Sequence, residues 1–292
     1  MTVLRTAGSA PRHAGAKMFV RADGSARGTI GGGRVELEAT ERAVAVARGA
    51  PAERLVRDLG RDLAMCCGGR MDLWIEPVDA ARSAALADAA ARRAARVPCA
   101  LVTALAGRGG KEVVGDDDVL RTRRPRLEDE RFVEPVLPTD RLVLFGAGHV
   151  AAALAPLAQR VGFEVVVCDD DDRFATPERF PGAHLLPTFD AGEAAAALAP
   201  FGFADYAIIL TRDHAVDQAI LEKLLVRDLA YLGLIGSRGK VGRFRRRLAA
   251  RGIGDDAAWA RVHAPVGLAI GAETPEEIAV SVMAELIAAR RA

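Results

Sequence analysis

The period of the apolar positions changes near the middle of the chain. Up to about residue 105, short strand-like runs lie between Gly-rich turns: Thr2 to Thr6, Ala16 to Arg21 and Arg27 to Ile30, with Asp23-Gly24 as the tight-turn signal between the last two. Gly31-Gly32-Gly33 then opens an amphipathic helix from about Arg34 to Arg48, and a second helix covers Ala81 to Arg96. Met71 to Glu76 and Ala100 to Ala104 are further strands. Strands followed by segregated helices predict an α+β domain. Residues Gly107 to Asp140 are rich in charge, Gly and Pro and weak in helical period. They read as hairpin and linker, with Phe132 to Val136 a candidate last strand, and the domain boundary falls near Pro138.

From residue 139 onward, apolar strands alternate with helices. The predicted order is strand Arg141 to Phe145, helix His149 to Val161, strand Glu164 to Cys168, strand Tyr206 to Leu210, helix His214 to Arg227, strand Tyr231 to Ile235 and helix Gly239 to Ala250. Such alternation predicts βαβ units and a parallel, doubly wound sheet. The last helix starts at Thr274-Pro275-Glu276-Glu277, with Thr at the N-cap, Pro in the first turn and Glu closing a capping box. The expected architecture is therefore α/β: an α+β domain over 1–138 and a Rossmann-like doubly wound domain over 139–292.

Gly146-Ala147-Gly148-His149-Val150-Ala151 sits between a strand and a helix and matches the G-x-G-x-x-A form of the dinucleotide fingerprint. Asp169 ends the next strand, where an acid would reach a ribose hydroxyl. The same turn also suits another phosphate group, so NAD(P), a different nucleotide or an empty site all remain open. Of the acids that follow, Asp171 and Asp172 read as a solvated turn. Ligands of doubly wound sheets bind outside the carboxyl ends of the strands, and two more segments converge there. They are Thr211-Arg212-Asp213-His214, with His214 either an acid/base on the rim or a solvent-facing residue, and Gly236-Ser237-Arg238, with Ser237 as an N-cap that can also bind an anion. The basic run Arg243 to Arg247 is a wet helix face or a docking surface for an acidic partner.

The 292 residues carry 40 Lys and Arg against 39 Asp and Glu, a formal charge of +1, so no global field holds the chain to nucleic acid or membrane. Four unevenly spaced cysteines without a C-x2-C pair fit neither a disulfide framework nor a zinc ribbon. With no basic segment leading into an apolar one at the start, this points to the cytosol.

Cys66-Cys67-Gly68-Gly69, just before the strand at Met71, is the chemistry-bearing motif of the first half. Glycines beside the thiols free the backbone to turn, which suits soft sulfur ligands for a metal, although cysteines also serve as small buried hydrophobes. Cys99 and Cys168 read as packing residues in apolar strands. Gly31, Gly32 and Gly33 offer backbone N–H groups to an anion, with Arg5, Arg12 and Lys17 close enough in sequence to add charge.

Several of these motifs together resemble the XdhC/CoxI family of xanthine dehydrogenase accessory proteins. They are Arg5 to Arg12 with Gly15 to Met18, Gly28 to Gly33, Cys66 to Gly69, Phe145 to Val150, Gly233 to Arg238 and Gly267 to Ile278. The resemblance spans nearly the whole chain and implies a chaperone, not an enzyme. Such a protein binds the molybdenum cofactor (molybdopterin), supports its sulfuration by a cysteine desulfurase and delivers it to an apo-enzyme of the xanthine dehydrogenase class. In that picture Cys66 or Cys67 contacts the metal, and the glycine turns with His149, Asp169, His214, Ser237 and Arg238 line the cofactor. A homodimer is expected. The departure is at the front: family members begin with a helix, whereas this chain starts directly at Met1-Thr2-Val3-Leu4. The rival readings are an NAD(P)-dependent oxidoreductase with His214 as acid/base, and an interaction scaffold with an empty Rossmann domain.

Overall fold

The computed structural model describes residues 1–62, 68–106 and 110–291. It divides into two compact units, Met1–Pro138 and Thr139–Ala292. In the first, the elements run β1 (Thr2–Ala7), β2 (Met18–Val20), β3 (Ala26–Gly28), α1 (Gly33–Ala47), β4 (Glu53–Asp58), β5 (Arg70–Ile75), α2 (Ala80–Ala94), β6 (Cys99–Ala104), β7 (Gly110–Val114), α3 (Asp117–Thr122), β8 (Arg126–Glu128) and β9 (Arg131–Val136). Two antiparallel sheets, in the orders β1-β5-β4 and β7-β6-β9-β8, and the β2-β3 hairpin make up its strands.

Strand β5 shows how period 2 builds this unit. Met71, Leu73 and Ile75 point to the face covered by Val35, Ala39 and Val46 of α1, while Trp74 on the opposite face packs with Leu4 and Phe132. On that same side Asp72, nearly fully buried, takes a two-pronged bond from Arg54 on β4, with Nε at 2.8 Å and Nη2 at 2.5 Å. The segment expected to be hairpin and linker is instead mostly sheet: β7 and β9 flank β6, β8 pairs with β9, and α3 puts Val119 against Ala100, Val102 and Val133. Its charges mislead because β7 and β8 are edge strands, where charged side chains face water and block further pairing. Strand β4, absent from the sequence reading, was hidden in the same way by four charged residues out of six.

The second unit runs β10 (Arg141–Phe145), α4 (His149–Arg160), β11 (Glu164–Cys168), β12 (His184–Leu186), α5 (Ala191–Ala197), β13 (Asp205–Ile209), α6 (His214–Leu225), β14 (Tyr231–Leu234), α7 (Arg238–Ala249), α8 (Asp256–Ala260), β15 (Val262–His263) and α9 (Pro275–Arg291). All six strands are parallel, in the order β12-β11-β10-β13-β14-β15. Both faces are covered, which is why β10 is a continuous apolar run after Arg141. Leu142 and Leu144 meet α4 and α9, whereas Val143 and Phe145 meet α5, α6 and α7. The capping box at the start of α9 forms as read, with Thr274 Oγ1 accepting from the Glu277 N–H and Glu277 accepting from the Thr274 N–H, each at 3.2 Å. This is the expected α/β architecture, an antiparallel α+β unit followed by a Rossmann-like one. No helix among the described residues is long and apolar enough to cross a membrane.

Candidate functional site

The first strand of the parallel sheet ends at Phe145, and the chain turns through Gly146, Ala147 and Gly148 into α4. The two glycines do different work. Gly146 has φ +122°, and a Cβ there would lie 2.6 Å from the Leu210 carbonyl oxygen, so this glycine lets the turn press against the end of β13. Gly148 is the N-cap of α4 with an ordinary φ of −71°, and a Cβ built on it meets nothing within 4 Å. Its missing side chain leaves open space rather than relieving a contact within the chain.

Asp169 occupies the expected position but faces inward. It is 5% exposed; Oδ2 accepts from the Ala147 N–H at 2.7 Å and Oδ1 from the Asp171 N–H at 3.0 Å. The carboxylate ties the fingerprint turn to the end of β11, a different task from the ribose contact expected of it. Asp171, read as solvated, is also held: it accepts from Arg173 Nε at 2.8 Å and Nη2 at 2.7 Å, and from Arg212 at 3.4 Å. The Arg173 hydrogen bond leads the causes that hold its carboxyl well below the usual range. Asp172 is exposed as expected.

On the same rim His149 opens α4 and is exposed, and His214 opens α6 with Asp213, not the histidine, as the cap. The imidazole of His214 stands edge-on to Phe244, with ring centres 6.5 Å apart. Ser237 caps α7, its hydroxyl accepting from the Lys240 N–H at 3.3 Å, and Arg238 beside it is exposed. The fingerprint, His149, His214, Ser237 and Arg238 therefore share the carboxyl-end rim.

Sequence reasoning missed the pair that holds this rim together. Lys240 Nζ pairs with Asp217 and donates to the Ile235 carbonyl at 3.0 Å, while Asp217 Oδ1 accepts from the Thr211 hydroxyl at 2.7 Å and the Thr211 N–H at 3.2 Å. Asp217 is fully buried and Lys240 is 5% exposed, so the loops after β13 and β14 are clipped together out of water. One signal was present: a lysine and an aspartate at inward positions of helices whose other inward residues are apolar.

In the first unit the Gly31 and Gly32 N–H groups are taken within the chain rather than offered to a ligand. Glu36, one turn into α1, folds back, and its Oε2 accepts from the Thr29 hydroxyl at 2.6 Å, the Ile30 N–H at 2.9 Å and the Gly32 N–H at 3.0 Å. The Gly31 N–H goes to Thr29 Oγ1 at 3.0 Å. Burial pushes the Glu36 carboxyl up, but the Thr29 hydroxyl and the N–H groups of Gly32, Ile30 and Gly31 outweigh it and leave it below its ordinary value. A resident carboxylate thus stands where a phosphate was expected. Lys17 is similarly engaged, donating to both oxygens of Glu134 at 2.6 and 2.7 Å, whereas Arg5 and Arg12 are exposed.

Cys66 and Cys67 lie outside the described residues. Of their motif, Gly69 accepts from the Leu59 N–H at 2.8 Å, and a Cβ on it would come within 2.7 Å of the Ala7 carbonyl oxygen, so the glycine is demanded by the close passage of β1. Cys99 and Cys168 are buried in β6 and β11, as packing residues should be; burial raises both thiols, that of Cys168 to about 12.

The two units match two family profiles. The XdhC and CoxI family profile covers residues 1–58, and the XdhC Rossmann domain profile covers residues 142–286. The chain is 32% identical over 292 residues to the uncharacterized protein YqeB of Escherichia coli K12, covering 98% of this chain and 42% of that protein. It is 38% identical over 162 residues to a probable xanthine dehydrogenase subunit of Bacillus subtilis 168, covering 55% of this chain and 46% of that one. The chain thus spans less than half the length of these curated relatives. A crystal structure described as a xanthine dehydrogenase from Bacillus halodurans superposes with a TM-score of 0.78 at 28% identity, over 99% of this chain and 90% of that one.

Proposed function

The chain belongs to the XdhC/CoxI family, and from that membership we propose that it serves a xanthine dehydrogenase-class enzyme as an accessory factor by holding that enzyme's molybdenum cofactor. The cofactor is kept from water and oxygen, presented to a cysteine desulfurase for sulfuration and handed to the apo-enzyme. The observation that carries the reading is the open side of Gly148. Open space beside a glycine N-cap, at the carboxyl end of a parallel sheet, fits the phosphate end of a large cofactor. The Gly31–Gly33 turn does not fit that role, because Glu36 fills it.

For the metal, thiolates of Cys66 or Cys67 are the donors that the family resemblance implies, since soft sulfur suits a molybdenum centre that already carries sulfur ligands. The cofactor supplies all the redox chemistry when bound, and the chain's residues bind and shield. The oxidoreductase alternative needs an acid for the ribose and an oriented proton-transfer group. Asp169 is buried in the turn, and His214 is exposed and stands edge-on to Phe244; both observations favour the cradle.

Two measurements test the proposal. Protein purified from cells that make the cofactor is analysed for molybdenum and for oxidised pterin fluorescence, with both expected near one per chain. Desulfo xanthine dehydrogenase is then incubated with cofactor and a desulfurase, with and without this protein, and the protein should raise the recovered activity. Absence of both signals, together with NAD-dependent oxidation of a small alcohol or acid by the isolated chain, would overturn it.

A further inference from the structure

The β15 edge of the parallel sheet carries a second cluster of polar side chains. Tyr231 opens β14, and His263 closes β15 in register with Gly233. Their rings stack with centres 4.2 Å apart, and both reach Glu285 of α9. The Tyr231 hydroxyl and the Gly267 N–H each donate to Glu285 Oε2 at 2.6 Å, and His263 Nδ1 lies 3.0 Å from Oε1. Burial pushes the Glu285 carboxyl up, but these three partners outweigh it and hold the group below its ordinary value, as a carboxylate. A carboxylate only accepts, so the proton of a neutral His263 ring sits on Nδ1 and leaves Nε2 as an acceptor. Nε2 has no partner among the described residues.

The His263 ring also lines a cavity of about 290 Å³ between the segments that lead into β14 and β15. It lies at the amino ends of these strands, opposite the fingerprint rim. Leu229 and Ala258 give it apolar walls, and Arg227 and Arg261 bring charge. The two arginines differ. Arg261 is engaged by the chain, donating to the carbonyls of Arg227 and Leu225 at 3.1 Å and lying 3.6 Å from Asp228. Arg227 rests its guanidinium 5.6 Å from the centre of the Phe201 ring and has no acceptor for it among the described residues. A donor fork without an acid and an acceptor nitrogen fixed by a carboxylate thus line one small cavity.

We propose that this cavity binds a small organic acid that also carries a hydroxyl. The carboxylate takes the Arg227 fork, the hydroxyl donates to His263 Nε2, and the apolar body lies between Leu229 and Ala258. The two-pronged fit of guanidinium to carboxylate sets the requirement for an acid. The locked tautomer sets the requirement for a donor, because an ether or a second carboxylate has no proton to give Nε2. Ligand pockets begin at roughly 300 Å³, so a nucleotide is too large for this one, and the inference stands apart from the cofactor reading.

The test titrates the full chain by calorimetry with 3-hydroxybenzoate, 4-hydroxybenzoate, benzoate and phenol. It uses the wild type, Arg227→Gln, His263→Phe and, as the marker of the opposite rim, Gly148→Val. The better of the two hydroxybenzoates should bind about tenfold more tightly than benzoate, the worth of one hydrogen bond, and phenol more weakly than either acid. Arg227→Gln should weaken the acids by roughly tenfold or more and leave phenol unchanged. His263→Phe keeps an aromatic face against Tyr231 and should bring hydroxybenzoate down to the level of benzoate. Gly148→Val should bind every probe as the wild type does.

Failure of every acid to bind, equal affinity for acid and phenol, or an acid affinity unchanged in Arg227→Gln overturns the proposal. So does a hydroxybenzoate preference that survives in His263→Phe. Binding lost in Gly148→Val would move the site to the rim and equally end this inference. The Arg227 side chain donates no hydrogen bond to the described residues, so its variant keeps the test decisive even if His263→Phe fails to fold.

Discussion

Replacing Glu36 by Ala should destabilise the first unit even though the residue stands beside three glycines and only partly out of water. Its carboxylate receives one hydroxyl and two backbone N–H donors at 2.6 to 3.0 Å, and truncation orphans all three. A hydrogen bond to a charged group contributes about 1.5–3 kcal/mol, but water reaches part of this turn and satisfies some of the loss, so roughly 2–4 kcal/mol is expected for the set. The better helix propensity of Ala returns only a few tenths of that, ~0.4 kcal/mol. Glu36→Gln keeps an acceptor but not the charge, and should lose about half as much.

The carboxyl lies below its ordinary value in the folded chain, so its contribution is complete above the unfolded pKa of about 4.5 and fades as pH falls through the lower, folded value. Urea unfolding followed by Trp74 in a Trp259→Phe background isolates this unit. The gap between wild type and Glu36→Gln should narrow as pH drops below about 4.5. A loss under about 0.5 kcal/mol for Glu36→Ala, the scatter of ordinary surface substitutions, would refute the account and reopen the turn as a ligand site.

Gly148→Val should cost no more than about 1 kcal/mol, the loss of a favourable glycine N-cap, because its Cβ meets nothing, yet weaken binding of a phosphorylated ligand; Gly146→Ala should instead impair folding, as thermal melts of both variants would show. Lys240→Met strands a fully buried Asp217 and should cost about 3–5 kcal/mol in urea, most of it recovered in the double variant with Asp217→Leu. A double-variant loss as large as the single one would mean that the pair does not act through charge. Replacing both Cys66 and Cys67 by Ser should abolish retention of molybdenum while the unfolding midpoint stays put, since hydroxyl oxygen is a harder and far less acidic donor than thiolate sulfur. Metal analysis of the purified variant checks this, and full molybdenum content would end the cysteine hypothesis.

The parts legible in the sequence were those encoded by local period or by a turn that only glycine can make. The run Leu142 to Phe145 followed by Gly146-Ala147-Gly148 announced strand, turn and helix, and the rim segments after β13 and β14 followed from the same alternation. Contacts made over a distance were not legible. Nothing in the spacing of Gly31 and Glu36 says that the carboxylate turns back rather than out to solvent. Arg212 and Asp171 are 41 residues apart and meet only because the sheet brings the carboxyl ends of β11 and β13 to one rim, on either side of β10. Edge strands with charged residues, such as β4 and β8, hid because their composition is that of a loop.

The burial of Cys99 and Cys168 gives the chain a built-in chemical filter. A thiol with 1% or 0% of its surface exposed and a raised pKa presents almost no thiolate to a maleimide or iodoacetamide at neutral pH. Of the four cysteines in the chain, these two are silent in the native state, and any rapid alkylation must arise at Cys66 or Cys67. Counting labels per chain by mass spectrometry, before and after cofactor is added, thus turns a pair of inert core residues into the blank against which occupancy of the other pair is read.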